Sequence, residues 1–302
     1  MNGYSKIFKE SENMKRIKML ILSICMITIL GGCSFKETNL ENAKIYTTVY
    51  PIEYITNYLY GENSVIESIY PDGVELEEYE LTDKQVENYA TGDLFVYVGL
   101  GKEKDIAKKL LNENDKLLII DSTFGLNYSN NIEELWLAPN NFLMLAKNVK
   151  NSLNEYLDNS FKEEDVTKKY DELYTNVSWV DAELRNIAKE AKENENNTLV
   201  VSTNTFKYLE SYGFNIVSLE DIEKSGSENA VNDIKSKFKN SKYTKIVKLN
   251  GEDNSDLVNE LVKSYKADTV TINDMVTNSD TASDYVSMQY ENIALIRDIV
   301  LK

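Results

Sequence analysis

The chain contains no histidine. That absence removes Ser-His-Asp and Cys-His nucleophile systems, imidazole general bases and every His-ligated zinc or iron site. Proline is almost missing, with three residues in 302, and glycine contributes only 12. Long disordered or collagenous stretches need far more of both. Cysteine occurs twice, at Cys25 and Cys33, both near the N-terminus. Basic residues are outnumbered, 33 Lys+Arg against 50 Asp+Glu, for a formal net charge of −17. Charge of that sign does not suit nucleic acid, whose phosphates require a positive surface. Gly-rich phosphate loops and nucleophile motifs are missing too, so catalysis is not expected. Glu133 and Glu134 are a carboxylate pair of the type glycoside hydrolysis employs, but adjacency in sequence supplies no geometry for it.

What is present begins with an address. Met14 to Lys18 is a short cationic run, and Met19 to Leu30 is apolar apart from Ser23 and Thr28. The apolar stretch is shorter than the roughly 20 residues of a membrane-spanning helix, and its order of features reads as a secretory signal. Thirteen residues precede Met14, which would itself serve as a start. Leu30-Gly31-Gly32-Cys33 resembles the bacterial lipobox, which implies cleavage of 1–32 and lipidation of Cys33. A short transmembrane anchor with an incidental cysteine is the alternative. The cleaved chain would carry 28 basic and 48 acidic residues, net −20, and no cysteine beyond the lipidated one, hence no intrachain disulfide. Two acyl chains on Cys33 suffice for stable anchoring. The expected location is the extracellular face of the cell membrane of a Gram-positive bacterium, with 33–42 as lipidated N-terminus and tether.

Beyond the tether, short β-rich runs alternate with amphipathic segments. Strands are expected at 44–49, 64–70, 94–97 and 116–120, and helices at 52–59, 82–90, with Thr82 as N-cap, and 103–111. From Asn140 to about Glu195 there is no convincing strand. Val166, Tyr170, Leu173, Val177, Val180, Leu184, Ile187, Ala188 and Ala191 recur at helical spacing and predict one long helix of about 30 residues. The alternation resumes with strands at 199–202, 215–219, 245–249 and 268–272 and helices at 205–212, 228–238, 255–265 and 283–300. The expected fold is α/β: two parallel-sheet lobes, 43–139 and 196–302, joined by a helical connector over 140–195.

At this point five segments resemble the zinc- and manganese-binding solute-binding lipoproteins of ABC importers. They are the lipobox with Tyr46-Thr47-Thr48-Val49-Tyr50-Pro51-Ile52, the loop Gly73 to Thr82, Asp93 to Gly99, Leu135-Trp136-Leu137-Ala138-Pro139, and Tyr285 to Asn292. They occur in order over nearly the whole cleaved chain. The resemblance implies a ligand cleft between the lobes, a monomer, and delivery to an ABC permease and its ATPase. It also implies three metal-ligating histidines, and here their positions hold Glu77, Glu134 and Thr203, with Asn204 beside the last. Glu252 is the nearest acidic candidate one strand later. Asp274 fits the family's final aspartate, and a shift of one residue would put Asn273 there.

Carboxylates and carbonyls favour manganese, calcium and magnesium, whereas imidazole favours zinc. An all-oxygen site built from Glu77, Glu134, Asp274, Glu252, Asn204 and Thr203 is therefore expected to prefer the first group. The plainer alternatives stand beside this. Glu77 and Glu134 suit solvated acidic loops, Thr203 and Asn204 suit a helix cap, and Trp136 and the 20 tyrosines suit cores. At the level of function, the rivals are a relative that no longer binds metal and acts as an adhesin-like or accessory surface protein, and a carrier of small organic cations. Aromatic residues lining the cleft would mark the latter.

Overall fold

The computed structural model describes residues 40–71, 73–74, 76, 78–278 and 283–302. The expected signal segment, Cys33, most of the tether and Glu77 lie outside the described residues. Strands β1 (Ala43–Thr47), β2 (Ser64–Ser68), β3 (Leu94–Tyr97) and β4 (Leu118–Asp121) form a sheet in the order β2-β1-β3-β4. Every pairing in it is parallel. Parallel strands need long crossovers, and helices supply them: α1 (Tyr50–Tyr60), α2 (Asp83–Tyr89) and α3 (Glu103–Glu113). Both faces of the sheet are thereby covered, and all four residues of β3 are buried. Thr82 caps α2 as expected. Its hydroxyl accepts Gln85 N–H, and the Gln85 side chain accepts Thr82 N–H in return.

The middle of the chain is helical: a single turn, α4 (Glu134–Leu137), then α5 (Pro139–Tyr156) and α6 (Ser160–Glu193). Pro139 opens α5, where its missing N–H costs nothing. The 34 residues of α6 extend about 51 Å at 1.5 Å each. Asn159 caps it by accepting from the Phe161 and Lys162 N–H groups. Eight members of the predicted stripe, Val166 to Ala191, are buried along it. Its flank pairs with both lobes: Lys169 with Glu62 near the first sheet, and Glu183 with Arg297 near the second.

The second sheet repeats the winding of the first. Strands β5 (Thr198–Val201), β6 (Asn215–Ser218), β7 (Lys245–Leu249) and β8 (Asp268–Ile272) lie in the order β6-β5-β7-β8, again all parallel. Helices α7 (Leu219–Lys224), α8 (Glu228–Lys239) and α9 (Asp256–Tyr265) serve the crossovers, and α10 (Tyr285–Val300) returns to pack on α6. The segment expected as a helix at 205–212 is a nine-residue 3-10 helix, Asn204–Tyr212. In that geometry residues three apart eclipse. Phe206, Leu209 and Tyr212 then form one row, and Tyr212 reaches Asp181 of α6 with its hydroxyl at 2.7 Å. Gly213, at φ +108°, turns the chain out of it.

One apolar core runs from the first sheet through α1, α5 and α6 to the inner side of the second sheet. A smaller core fills the outer side of the second sheet under α7 to α9, around Leu219, Ile234, Phe238 and Leu261. Asn39–Lys302 is one compact unit.

Candidate ligand cleft

Parallel strands send all their C-terminal ends the same way, and the segments that follow β2, β4, β5, β7 and β8 meet between the two sheets. They enclose a cavity of about 370 Å³. Its polar walls are Asn131, Glu133, Thr203, Asn250, Glu252, Asp274 and Thr277, and its apolar ones include Leu76, Ile132, Leu249 and Val276. Among the described lining residues there is no lysine, no arginine and no aromatic ring. In the second lobe, Thr203 and Leu249 to Glu252 follow the neighbouring strands β5 and β7, where the winding reverses direction. Such switch points are where open α/β sheets hold ligands.

Of the six candidate ligands read from the sequence, Thr203, Glu252 and Asp274 line this cavity. Glu252 is oriented by its neighbours. Oε2 accepts Ser202 Oγ–H at 2.8 Å and Leu249 N–H at 3.0 Å. Asp274 Oδ1 accepts Val276 N–H at 3.0 Å, and its own N–H donates to Asn250 Oδ1. Asn273 N–H and carbonyl are both engaged by Asn292 of α10. Asn204 turns into the second lobe, where Ser218 Oγ–H donates to its Oδ1 and its Nδ2 donates to Asp221. Glu134 is buried, and its carboxylate accepts Ser129 N–H, Asn130 N–H and Asn130 Nδ2–H. Its neighbour Glu133 is the one in the cavity wall.

Thr203 does cap the 3-10 helix, accepting Thr205 N–H, but it does more. It donates to Glu220 Oε2 at 3.2 Å, and that oxygen also accepts Asn204 N–H at 2.6 Å. Burial alone would raise the Glu220 pKa; the Lys224 ammonium, Asn204 N–H and Thr203 hydroxyl outweigh it and hold the carboxyl below its usual range. Asp221 is likewise lowered, by Lys207 and then by Asn204. The sequence reading missed Glu220, Asp221 and Asn131. The pattern Ser218-x-x-Asp221 is a capping signature that would have found α7 with Glu220 and Asp221 in its first turn. Asn131 carries no comparable local signal.

Residues 45–299 match the protein family described as ZnuA, zinc-uptake complex component A, periplasmic. The chain belongs to that family. Among curated relatives, the zinc-binding lipoprotein AdcA of Streptococcus pneumoniae R6 is 25% identical, aligned over 94% of this chain and 61% of its own length. This chain thus spans about three-fifths of AdcA. The metal ABC transporter substrate-binding lipoprotein SloC of Streptococcus mutans is 26% identical over 76% of this chain and 80% of that protein. The manganese-binding lipoprotein MntA of Halalkalibacterium halodurans is 24% identical over 69% and 72%. The crystal structure of the metal-dependent lipoprotein YcdH of Bacillus subtilis superposes with a TM-score of 0.70 at 20% identity, covering 86% of this chain and all of that one.

Within this ZnuA-family frame the lobes are tied together behind the cavity by Trp136. The residue is fully buried, as expected of a core tryptophan. Its Nε1–H donates to the Asp274 carbonyl at 2.7 Å, and its own carbonyl accepts the Tyr285 hydroxyl and the Gln289 amide. Phe142 stacks on Tyr285 with ring centroids 3.7 Å apart. The aromatic cluster therefore belongs to the lobe junction and not to the cavity lining. Every donor in the cavity is an oxygen or an amide, which suits hard cations. Among the described residues no three His, Cys, Asp or Glu side chains are grouped closely enough to hold a metal ion. Glu133, Glu252 and Asp274 share one cavity without forming such a group.

Proposed function

We propose that the chain is the solute-binding component of a metal importer, taking up a divalent cation in the cavity between its lobes and passing it to a membrane permease driven by an ATPase. Membership of the ZnuA family supports this, as do the names of AdcA, SloC and MntA. The observation that carries it is the cavity wall, where three carboxylates stand among oxygen donors with no basic side chain in the described lining. The proposed ligands are Asp274 and Glu252, which line the cavity, and Glu77, carried over from the resemblance and adjacent in sequence to the lining residue Leu76. Glu134, Thr203 and Asn204 support the walls through the bonds described above. Oxygen donors favour manganese, magnesium or calcium, with zinc as the competitor to be tested. The proposed location is the outer face of the cell membrane, held by a lipid on Cys33. Transport of an organic cation draws no support from a described lining without aromatic rings.

The test is thermal melting of residues 34–302, stripped with a chelator, against manganese, magnesium, calcium and zinc. A cation at 100 times its dissociation constant adds about 2.7 kcal/mol to the folded state. For a domain of this size that is a rise in Tm of roughly 5–10 °C. We expect the rise with one of the first three ions, and its loss in Asp274→Asn, Glu252→Gln and Glu77→Gln. No rise with any ion overturns the proposal. A rise with zinc alone overturns the oxygen-donor preference and leaves the cargo class standing.

A further inference from the structure

We infer that Asn131 is a positioning residue, whose amide fastens the first lobe to the second and sets the shape of the cavity before any ligand arrives. Both amide hydrogens are in use. One goes to Thr203 Oγ1 at 3.0 Å and the other to Thr205 Oγ1 at 2.6 Å, on partners 72 and 74 residues away. Those acceptors are held rigidly from behind. Thr205 is fully buried, and Thr203 is fixed by the Glu220 carboxylate that also takes Asn204 N–H. The hydroxyl of Thr203 is thereby used up: its hydrogen goes to Glu220, and its lone pairs take Asn131 and Thr205 N–H. At a position the resemblance implies for a ligand, this chain places a strut.

Elsewhere around the same cavity the Trp136 indole holds the Asp274 carbonyl, and Tyr50 N–H holds the Val276 carbonyl at 2.9 Å. Asn131 and Thr203, like Asp274 and Val276, are wall residues. The cavity is thus bracketed by hydrogen bonds from lobe to lobe, each between protein groups. A carrier whose lobes must first close has its affinity scaled down to the fraction that is closed. The Asn131 latch removes that loss. Its bearing on capture rests on the cation reading above, whereas the lobe geometry does not.

Residues 34–302 contain no cysteine, so Lys104→Cys and Lys239→Cys, at exposed positions on the two lobes, accept one spin label each. Pulsed electron spin resonance on the chelated protein should give one narrow distance distribution. Asn131→Ala should broaden it, and Thr205→Val should do the same from the opposite lobe. The double variant should be no broader than Asn131→Ala alone, since Thr205→Val removes one of the two bonds that Asn131→Ala removes. An unchanged distribution in both single variants, or effects that add in the double variant, overturns the latch. If Asn131→Ala fails to fold, Thr205→Val, an isosteric change in the other lobe, carries the test alone. Manganese titration should then show roughly tenfold weaker binding by the latch variants. Equal affinity overturns the link to capture. A wild type that binds no cation, but whose narrow distribution is broadened by the latch variants, removes the cation reading and supports the latch.

Discussion

Glu220 shows how a single residue ties the site to the stability of the lobe. Its folded pKa is depressed, with burial opposing and Lys224, Asn204 N–H and Thr203 prevailing, and Asp221 is depressed by Lys207 and Asn204. A depressed carboxylate contributes stability that is complete above its unfolded pKa, near 4, and that is lost as pH falls through the folded value. Glu220→Gln should therefore lower the unfolding free energy at pH 7 by an amount on the order of 0.5–1 kcal/mol after solvent screening, read as a lower Tm. The gap to wild type should close as the pH of the melt is taken from 5 to 2. Trp136→Phe keeps an aromatic ring, smaller than the indole, and removes the donor to the Asp274 carbonyl. We expect a loss of about 1–3 kcal/mol in urea unfolding, since a hydrogen bond between the lobes is removed and the smaller ring fills the site less well. At this scale the sequence was informative only where a motif fixed the position. Resemblance led to Asp274 and Thr203, but whether Glu133 or Glu134 faces the cavity depends on backbone conformation in the turn that opens α4. Asn131 has meaning only through partners 72 and 74 residues away, a separation that local reading does not span.

Among the elements, α6 was the most legible, because eight buried positions over 34 residues leave little doubt about period. The same stripe predicts its energetics. Leu173→Ala should cost about 2–5 kcal/mol in denaturant unfolding, whereas Trp179→Ala, at a residue 65% exposed, should stay within about 0.5 kcal/mol. The 3-10 helix Asn204–Tyr212 was less legible. A row of residues three apart serves both helix types, and the choice is made by the tertiary bonds at Thr203 and Asn204. Helix α7 has only six residues, too few for a period, and was detectable through its cap alone. The strands were read to within about two residues of their ends, since parallel strands covered on both faces appear as short unbroken apolar runs.

For the whole molecule, the two cores divide the chain unequally. The larger one is continuous from the first sheet to the inner side of the second, and the smaller is confined beneath α7 to α9. Hydrogen exchange should therefore release amides of α8 and α9 before those of α1, α5 and α6; simultaneous release would show that the small core has no separate stability. The two-lobed architecture was legible from the alternation of runs and the helical middle, because each needs only local pattern. The cavity was not, because it is assembled from five separate strand ends. The candidate ligands Thr203, Glu252 and Asp274 each follow a strand and lie outside its hydrogen-bonded ladder. Under the proposed function, cargo preference and strand register are consequently inherited through different residues. On that reading, a lineage can change the donors at Glu252 and Asp274 while its sheets keep their register, so a change of diet needs no change of architecture.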